Sequence, residues 1–249
     1  MRPYTRSLHP DDYGFLPYAE ALRAFETRMV QNNVPYRGGQ HEHRIWEYAS
    51  IVGQFYDLQV PRSAKIVDVG SGGSFLPTYL SVEGFPNVMI VDSMVGGDIT
   101  KTVTLQNVAF RIEQTLRIMS AENMSQFSDG SFDVTMCVSV LEHVAAERHD
   151  DAFRELCRIT KPDGLIFLTS DYWRDSSQWE LSPWKDYQHT LYTEAFVLDL
   201  PNRFPVDFVG ETDLDYRGDF VHNYSFVNVC LRKRQHPLSG KAAVSTEKA

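Results

Sequence analysis

The spacing of hydrophobic and polar positions changes twice along the chain, and each change marks a zone. Through residues 1–60 apolar side chains recur every three or four positions, as at Leu22, Phe25 and Met29. That period predicts helices over residues 18–32 and 41–58. Asn32-Asn33-Val34-Pro35 and Arg37-Gly38-Gly39 break the pattern between them. From 61 to 171 short apolar runs alternate with helical stretches, the pattern of a parallel sheet built from βαβ units. The runs predict strands at 65–69, 88–91, 116–119, 132–138 and 165–169. A helix should open after the first strand toward Gly84, and another should cover 145–160. Val134, Met136, Cys137 and Val138 follow one another with almost no polar alternation, as in a strand buried on both faces. Beyond 172 the chain is irregular and rich in Trp. It then becomes strand-like at 206–210 and 224–232, ahead of a small, polar tail. The expected division is a helical lid over 1–60, a nucleotide-type domain over 61–234, and a flexible tail over 235–249.

The first strand runs into Val67-Asp68-Val69-Gly70-Ser71-Gly72-Gly73-Ser74, ahead of a helix. Glycines there let the backbone turn sharply, and a helix N-terminus offers free N–H groups to an anionic ligand. A dinucleotide site wants a third glycine where this chain has Phe75. Asp68, two residues before the first glycine, would also face a pyrophosphate with like charge. Both features disfavour NAD or FAD. They suit a ligand with an ammonium group for Asp68 and a carboxylate for the loop N–H groups, as in the methionine part of S-adenosyl-L-methionine (SAM).

Composition and charge narrow the partners. The chain has 249 residues, 43% hydrophobic and 23% charged, with a formal net charge of −9 and a pI near 5.3. Arg232-Lys233-Arg234 is the one basic cluster, so electrostatic grip on nucleic acid is disfavoured. Cys137, Cys157 and Cys230 are odd in number and set among apolar residues, which reads as reduced core thiols. No run approaches the ~18 apolar residues of a membrane span, and the start lacks the apolar core of a signal peptide. Cytoplasm is the expected compartment.

Further elements follow in order. Asp92 closes the second strand, 24 residues after Asp68. Ser120-Ala121-Glu122 leads to Phe127-Ser128-Asp129-Gly130-Ser131-Phe132-Asp133, and Leu141-Glu142-His143-Val144 leaves the fourth strand. Lys161-Pro162-Asp163-Gly164 turns into the fifth, and Asp163 tolerates the left-handed backbone such a turn requires. Across roughly 60–172 this series resembles the class I SAM-dependent methyltransferases, in particular the ubiquinone/menaquinone-type, methyltransferase type 11-like group. The resemblance implies a Rossmann-like α/β fold with a seven-stranded sheet of order 3-2-1-4-5-7-6, strand seven antiparallel, under the N-terminal helical lid. It implies SAM as cofactor, with S-adenosylhomocysteine as product. The implied cofactor contacts are Asp68, Gly70, Ser71, Gly72, Gly73, Asp92, Ser120, Ala121, Glu122, Val138 and Ser139. Ser120 stands where an adenine-contacting Asp is frequent in the family.

The acceptor side is less defined. His143 lies just beyond strand four and is a candidate base, with a backbone-bonded helix start as its alternative reading. Glu142 is a second candidate. Arg44, one turn from Glu47, either meets an anionic ligand group or forms a surface ion pair. Trp173, Trp179, Trp184, Tyr187 and His189 form either an aromatic wall over the acceptor or a loop packed on the sheet edge; Trp173, Tyr187 and His189 are the candidate substrate contacts. His41 and His43 do not share a helical face, which argues against a metal site. The expected acceptor is a small molecule, a sugar or glycan, or a lipid-like compound. The competing reading is a SAM-binding accessory subunit that does not methylate.

Overall fold

The computed structural model describes residues 3–9, 12, 17–37, 42–95, 97–182, 185–186, 190–218 and 224–235. Strand β1 (Thr5–Ser7) is followed by helices α1 (Ala19–Gln31) and α2 (Glu42–Asp57). The alternating zone contributes β2 (Ile66–Val69), α3 (Leu76–Val82), β3 (Val88–Asp92), α4 (Thr100–Phe110), β4 (Thr115–Ile118) and β5 (Phe132–Val138). A short 3-10 turn, Leu141–His143, then leads to α5 (Ala146–Ile159) and the long β6 (Thr160–Tyr172). The last part holds α6 (Ser176–Glu180), α7 (Glu194–Arg203), β7 (Val206–Phe208), β8 (Thr212–Asp213) and β9 (Ser225–Lys233).

One sheet runs β4-β3-β2-β5-β6-β9-β1-β8, with β7 also on β9. β2 to β6 pair in parallel, and β9 lies antiparallel to β6. The first six places follow the order the sequence predicts. The seventh differs in detail: it is shared. β7 pairs with the end of β9 (Val206 opposite Lys233), while β1 pairs farther back (Ser7 opposite Val227) and carries β8 outside it. β1 also corrects the expectation of a wholly helical N-terminal zone. Three residues give no alternation for a period-based reading to detect.

Apolar side chains of the central strands point alternately to two cores, which is why these strands carry so little polar alternation. Val67, Cys137, Leu168 and Val229 pack under Phe153 and Leu156 of α5 and Leu200 of α7. Ile66, Met136, Phe167 and Cys230 pack under Phe25 of α1 and Ile51, Val52 and Phe55 of α2. All three cysteines are buried and free. The Lys161–Gly164 turn lies inside β6 as a shift in register, with Asp163 at φ 62° as its left-handed residue. Thr193 caps α7 by accepting the Phe196 N–H. Residues 236–249 of the expected tail lie outside the described residues.

Candidate functional site

The C-terminal ends of β2, β3 and β5 bring the glycine turn, Asp92 and Ser139 together. Gly70 has φ +76°, and a Cβ there would sit 2.6 Å from a Val140 methyl group, so this position takes no side chain. Its N–H donates to Val91 O at 2.8 Å, while the Gly72 N–H donates to Asp92 Oδ2 at 2.8 Å. Asp92 Oδ1 accepts the Met94 N–H, and Asp92 O accepts the Met119 N–H. These bonds fix the turn to the end of β3 and bring Ser120, buried Ala121 and Glu122 alongside. Phe75 is fully buried, with Tyr36 and Tyr48 edge-on to its ring, so it packs the turn against the helical layer.

Asp68 is 1% exposed, and its Oδ1 makes no well-formed hydrogen bond among the described residues, although the Ser71 side chain lies close enough to the carboxylate to favour its ionised form. Burial, with the charge of Asp92 adding to it, pushes its carboxyl up to about 7. A buried carboxylate without a donor is costly unless a ligand supplies one. The cavity beside it, about 150 Å³, is lined by Arg37, Arg44, Tyr48, Ser71, Val138 and Ser139 as well as Gly70 and Gly72.

α2 closes this edge. Arg44 pairs with Glu47 at 2.8 Å, but Glu47 is fully buried, so the surface ion pair allowed by the sequence is an interior one. Glu47 Oε1 accepts Ser139 Oγ–H at 2.5 Å and Thr169 Oγ1–H at 2.6 Å, tying α2 to the ends of β5 and β6. Ser139 takes φ +49° to do so. Glu142, on the 3-10 turn, is 1% exposed, and neither of its oxygens meets a well-aligned donor among the described residues. Burial pushes it up to about 8, and Glu47 adds to the effect against the opposing pull of Arg44. Burial and then Glu142 and Glu47 raise Asp171, in β6, well above the usual carboxylate range.

The other sequence candidates are placed differently from one another. His143 is exposed, its N–H bonds to Val140 O, and its ring lies near Asp171. Trp173 is fully buried in a cluster with Leu8, Trp46, Tyr224 and Phe226, stacked on Tyr224 at 5.0 Å. That is a packed aromatic core, the loop-on-sheet alternative. His43 stacks on Phe226 at 4.6 Å. Trp184, Tyr187, His189 and His41 lie outside the described residues. Among the described residues no three His, Cys, Asp or Glu side chains are arranged to hold a metal ion.

Sequence reasoning missed Arg37, Tyr48 and the interior roles of Glu47 and Asp171. Only the Arg44–Glu47 spacing hinted at any of them. It also missed Arg158, which donates to Met124 O and Phe127 O and so holds the segment after Glu122 in place.

A family described as a methyltransferase domain matches residues 67–168, the span that carries the glycine turn, Asp92 and Glu142. Residues 67–168 thus match a methyltransferase domain of the class I SAM-dependent kind. The cofactor of this family is SAM. A similar curated protein is the ubiquinone biosynthesis O-methyltransferase of Xanthomonas oryzae pv. oryzae, 24% identical over 163 residues, 57% of this chain and 66% of the relative. The alignment thus spans slightly less than two thirds of that methyltransferase. Among solved structures, a putative sarcosine dimethylglycine methyltransferase from Galdieria sulphuraria superposes with a TM-score of 0.63 at 12% identity, covering 86% of this chain and 98% of that one. The [4+2]-cyclase SpnF superposes at 0.59 and 13% identity, covering 76% and 83%. At such identities the two structures establish the shared fold. No helix among the described residues is long and apolar enough to cross a membrane.

Proposed function

We propose that the chain transfers the methyl group of SAM to a hydroxyl oxygen of a small molecule. The buried Asp68 beside the glycine cradle is the observation that carries this reading. Its unpartnered oxygen suits the α-ammonium group of SAM. The glycine turn, through the Gly73 N–H, suits the methionine carboxylate, and Asp92 suits the ribose hydroxyls. Ser120, Ala121 and Glu122 would border the adenine, with Val138 and Ser139 flanking the methionine chain. SAM supplies an activated methyl group at its sulfonium. The protein's part is to hold the acceptor in line and exclude water. Fully buried Glu47, bridging α2 to β5 and β6, supports that exclusion. Support for an oxygen acceptor comes from the name of the Xanthomonas relative, an O-methyltransferase.

Calorimetry with SAM and S-adenosylhomocysteine, followed by mass spectrometry of a panel of phenols, aliphatic alcohols, sugars and amines, tests the reading. Methylated phenol or alcohol is the expected product. Binding without transfer to any acceptor would favour a SAM-binding accessory role, and the cyclase SpnF has this same fold. Asp92→Ala should weaken S-adenosylhomocysteine binding by roughly 1–3 kcal/mol through lost hydrogen bonds. Unchanged affinity by calorimetry removes Asp92 from the site.

A further inference from the structure

Three carboxylates, Glu47, Glu142 and Asp171, gather at one buried place around a single guanidinium, that of Arg44. Arg44 also lines the cavity beside Asp68, so the cluster adjoins the cofactor side of the site. The three carboxylates are not equivalent. Glu47 has its Oε1 satisfied by two hydroxyls and its Oε2 beside Arg44. The backbone N–H groups of Glu142 and Asp171 lie near the Glu142 carboxylate, and neither makes a well-formed bond to it. A structural carboxylate in the interior would be fully bonded, because an unsatisfied one costs stability. Glu142 therefore has hydrogen-bonding capacity left unused, next to the Arg44 that lines the cavity.

We propose that Glu142 accepts the proton of the acceptor hydroxyl during methyl transfer, with Glu47 and Asp171 as positioning residues. The proposal rests on the reading that the acceptor atom is a hydroxyl oxygen. As the acceptor oxygen bonds to the methyl carbon, the carbon–sulfur bond breaks and its electron pair stays on sulfur. The O–H proton passes to the Glu142 carboxylate. The charges facing Glu142 come from every neighbouring element: Arg44 and Glu47 on α2, Cys137 on β5, Asp171 on β6, and the phenols Tyr192 and Tyr224. His143 offsets part of the charge at Asp171. Carboxylates outnumber cations there, and burial, with the charge of Glu47 adding to it, holds Glu142 up to about 8, close to the proton affinity a base needs near neutral pH. The same excess of negative charge disfavours an acceptor that presents an anionic group at this point.

The test uses the full chain, SAM, and the hydroxyl compound the panel identifies. For the wild type, kcat/KM should rise with pH and level off above about 8. Glu142→Gln should bind S-adenosylhomocysteine like the wild type, lose about 100-fold or more in kcat, and lose the rising limb. Glu47→Gln removes the like charge that raises Glu142 and should move the limb to lower pH. Glu142→Gln that turns over with the limb intact overturns the proposal. Should that variant fail to fold, an unmoved limb in Glu47→Gln overturns it equally. Absence of transfer by the wild type to every hydroxyl compound overturns the proposed function and this inference together. Transfer with an indifferent Glu142 overturns the inference alone.

Discussion

Gly70 and Val140 meet more closely than any added side chain allows. An alanine at 70 would place its Cβ 2.6 and 2.7 Å from the two Val140 methyl groups, at a φ of +76° that L-residues avoid. The left-handed backbone costs about 1–2 kcal/mol and overpacking a further ~1–3. Gly70→Ala should accordingly lose about 2–5 kcal/mol in urea unfolding and weaken S-adenosylhomocysteine binding. Adding Val140→Ala removes the clash but leaves the backbone strain, so the double variant should regain only the packing part. Full recovery would show that φ is not limiting. At this scale the sequence is legible wherever a residue type has one physical use. Phe75, with no room for a dinucleotide's third glycine, and Asp163, at φ 62°, are such positions. Glu142 is not, because the same letter serves a solvated turn and a buried, unbonded carboxylate equally well.

Elements differ in legibility for a related reason. α2 and α5 announce themselves by period, and β5 by unbroken apolar content. β1 is three residues long, and its partner β9 is more than 200 residues away, so no local pattern encodes it. One buried carboxylate ties this N-terminal strand to α2, beside the bond from Gln54 Nε2 to Tyr4 O at 2.9 Å. Asp12 Oδ2 accepts from Arg6 Nη1 at 2.7 Å, Trp46 Nε1 at 2.8 Å and the His9 N–H at 2.9 Å. Asp12 is fully buried and Arg6 nearly so. Asp12→Ala would leave the guanidinium uncompensated in the interior, at a cost of about 3–5 kcal/mol. Trp46 is the residue before Glu47, so the loss should spread to the contacts with Ser139 and Thr169. Hydrogen exchange should show faster opening of α2 in the variant, ahead of β2 and β5. Equal protection of all three would mean that α2 is held by its apolar face alone.

For the molecule as a whole, the concentration of raised carboxyls at one edge of the sheet makes stability depend on pH. Asp68 is held at about 7 against 3.8 in an unfolded chain, and Glu142 at about 8 against 4.5. In both, folding favours the protonated form. Their contribution is complete below the unfolded values, and it is lost as pH rises through about 7 and about 8. For Asp68 alone the full swing is roughly 4 kcal/mol at 1.36 kcal/mol per unit. The net charge of −9 pushes the same way, since self-repulsion grows on the alkaline side of the pI. Asp133, Glu155 and Asp175 are shifted down by bonded partners, so stability falls again as acid protonates them. The melting temperature of the unliganded chain should therefore peak on the acid side of neutrality and decline toward pH about 8. Asp68→Asn should flatten part of that decline. An ammonium-bearing ligand reverses the cost by pairing with the ionised Asp68. S-adenosylhomocysteine should thus raise the melting temperature more above pH 7 than below it, and binding below pH 7 should release a proton detectable by calorimetry in buffers of different ionisation enthalpy. A decline equally steep in the wild type and in Asp68→Asn, with no proton released on binding, would take Asp68 out of both roles.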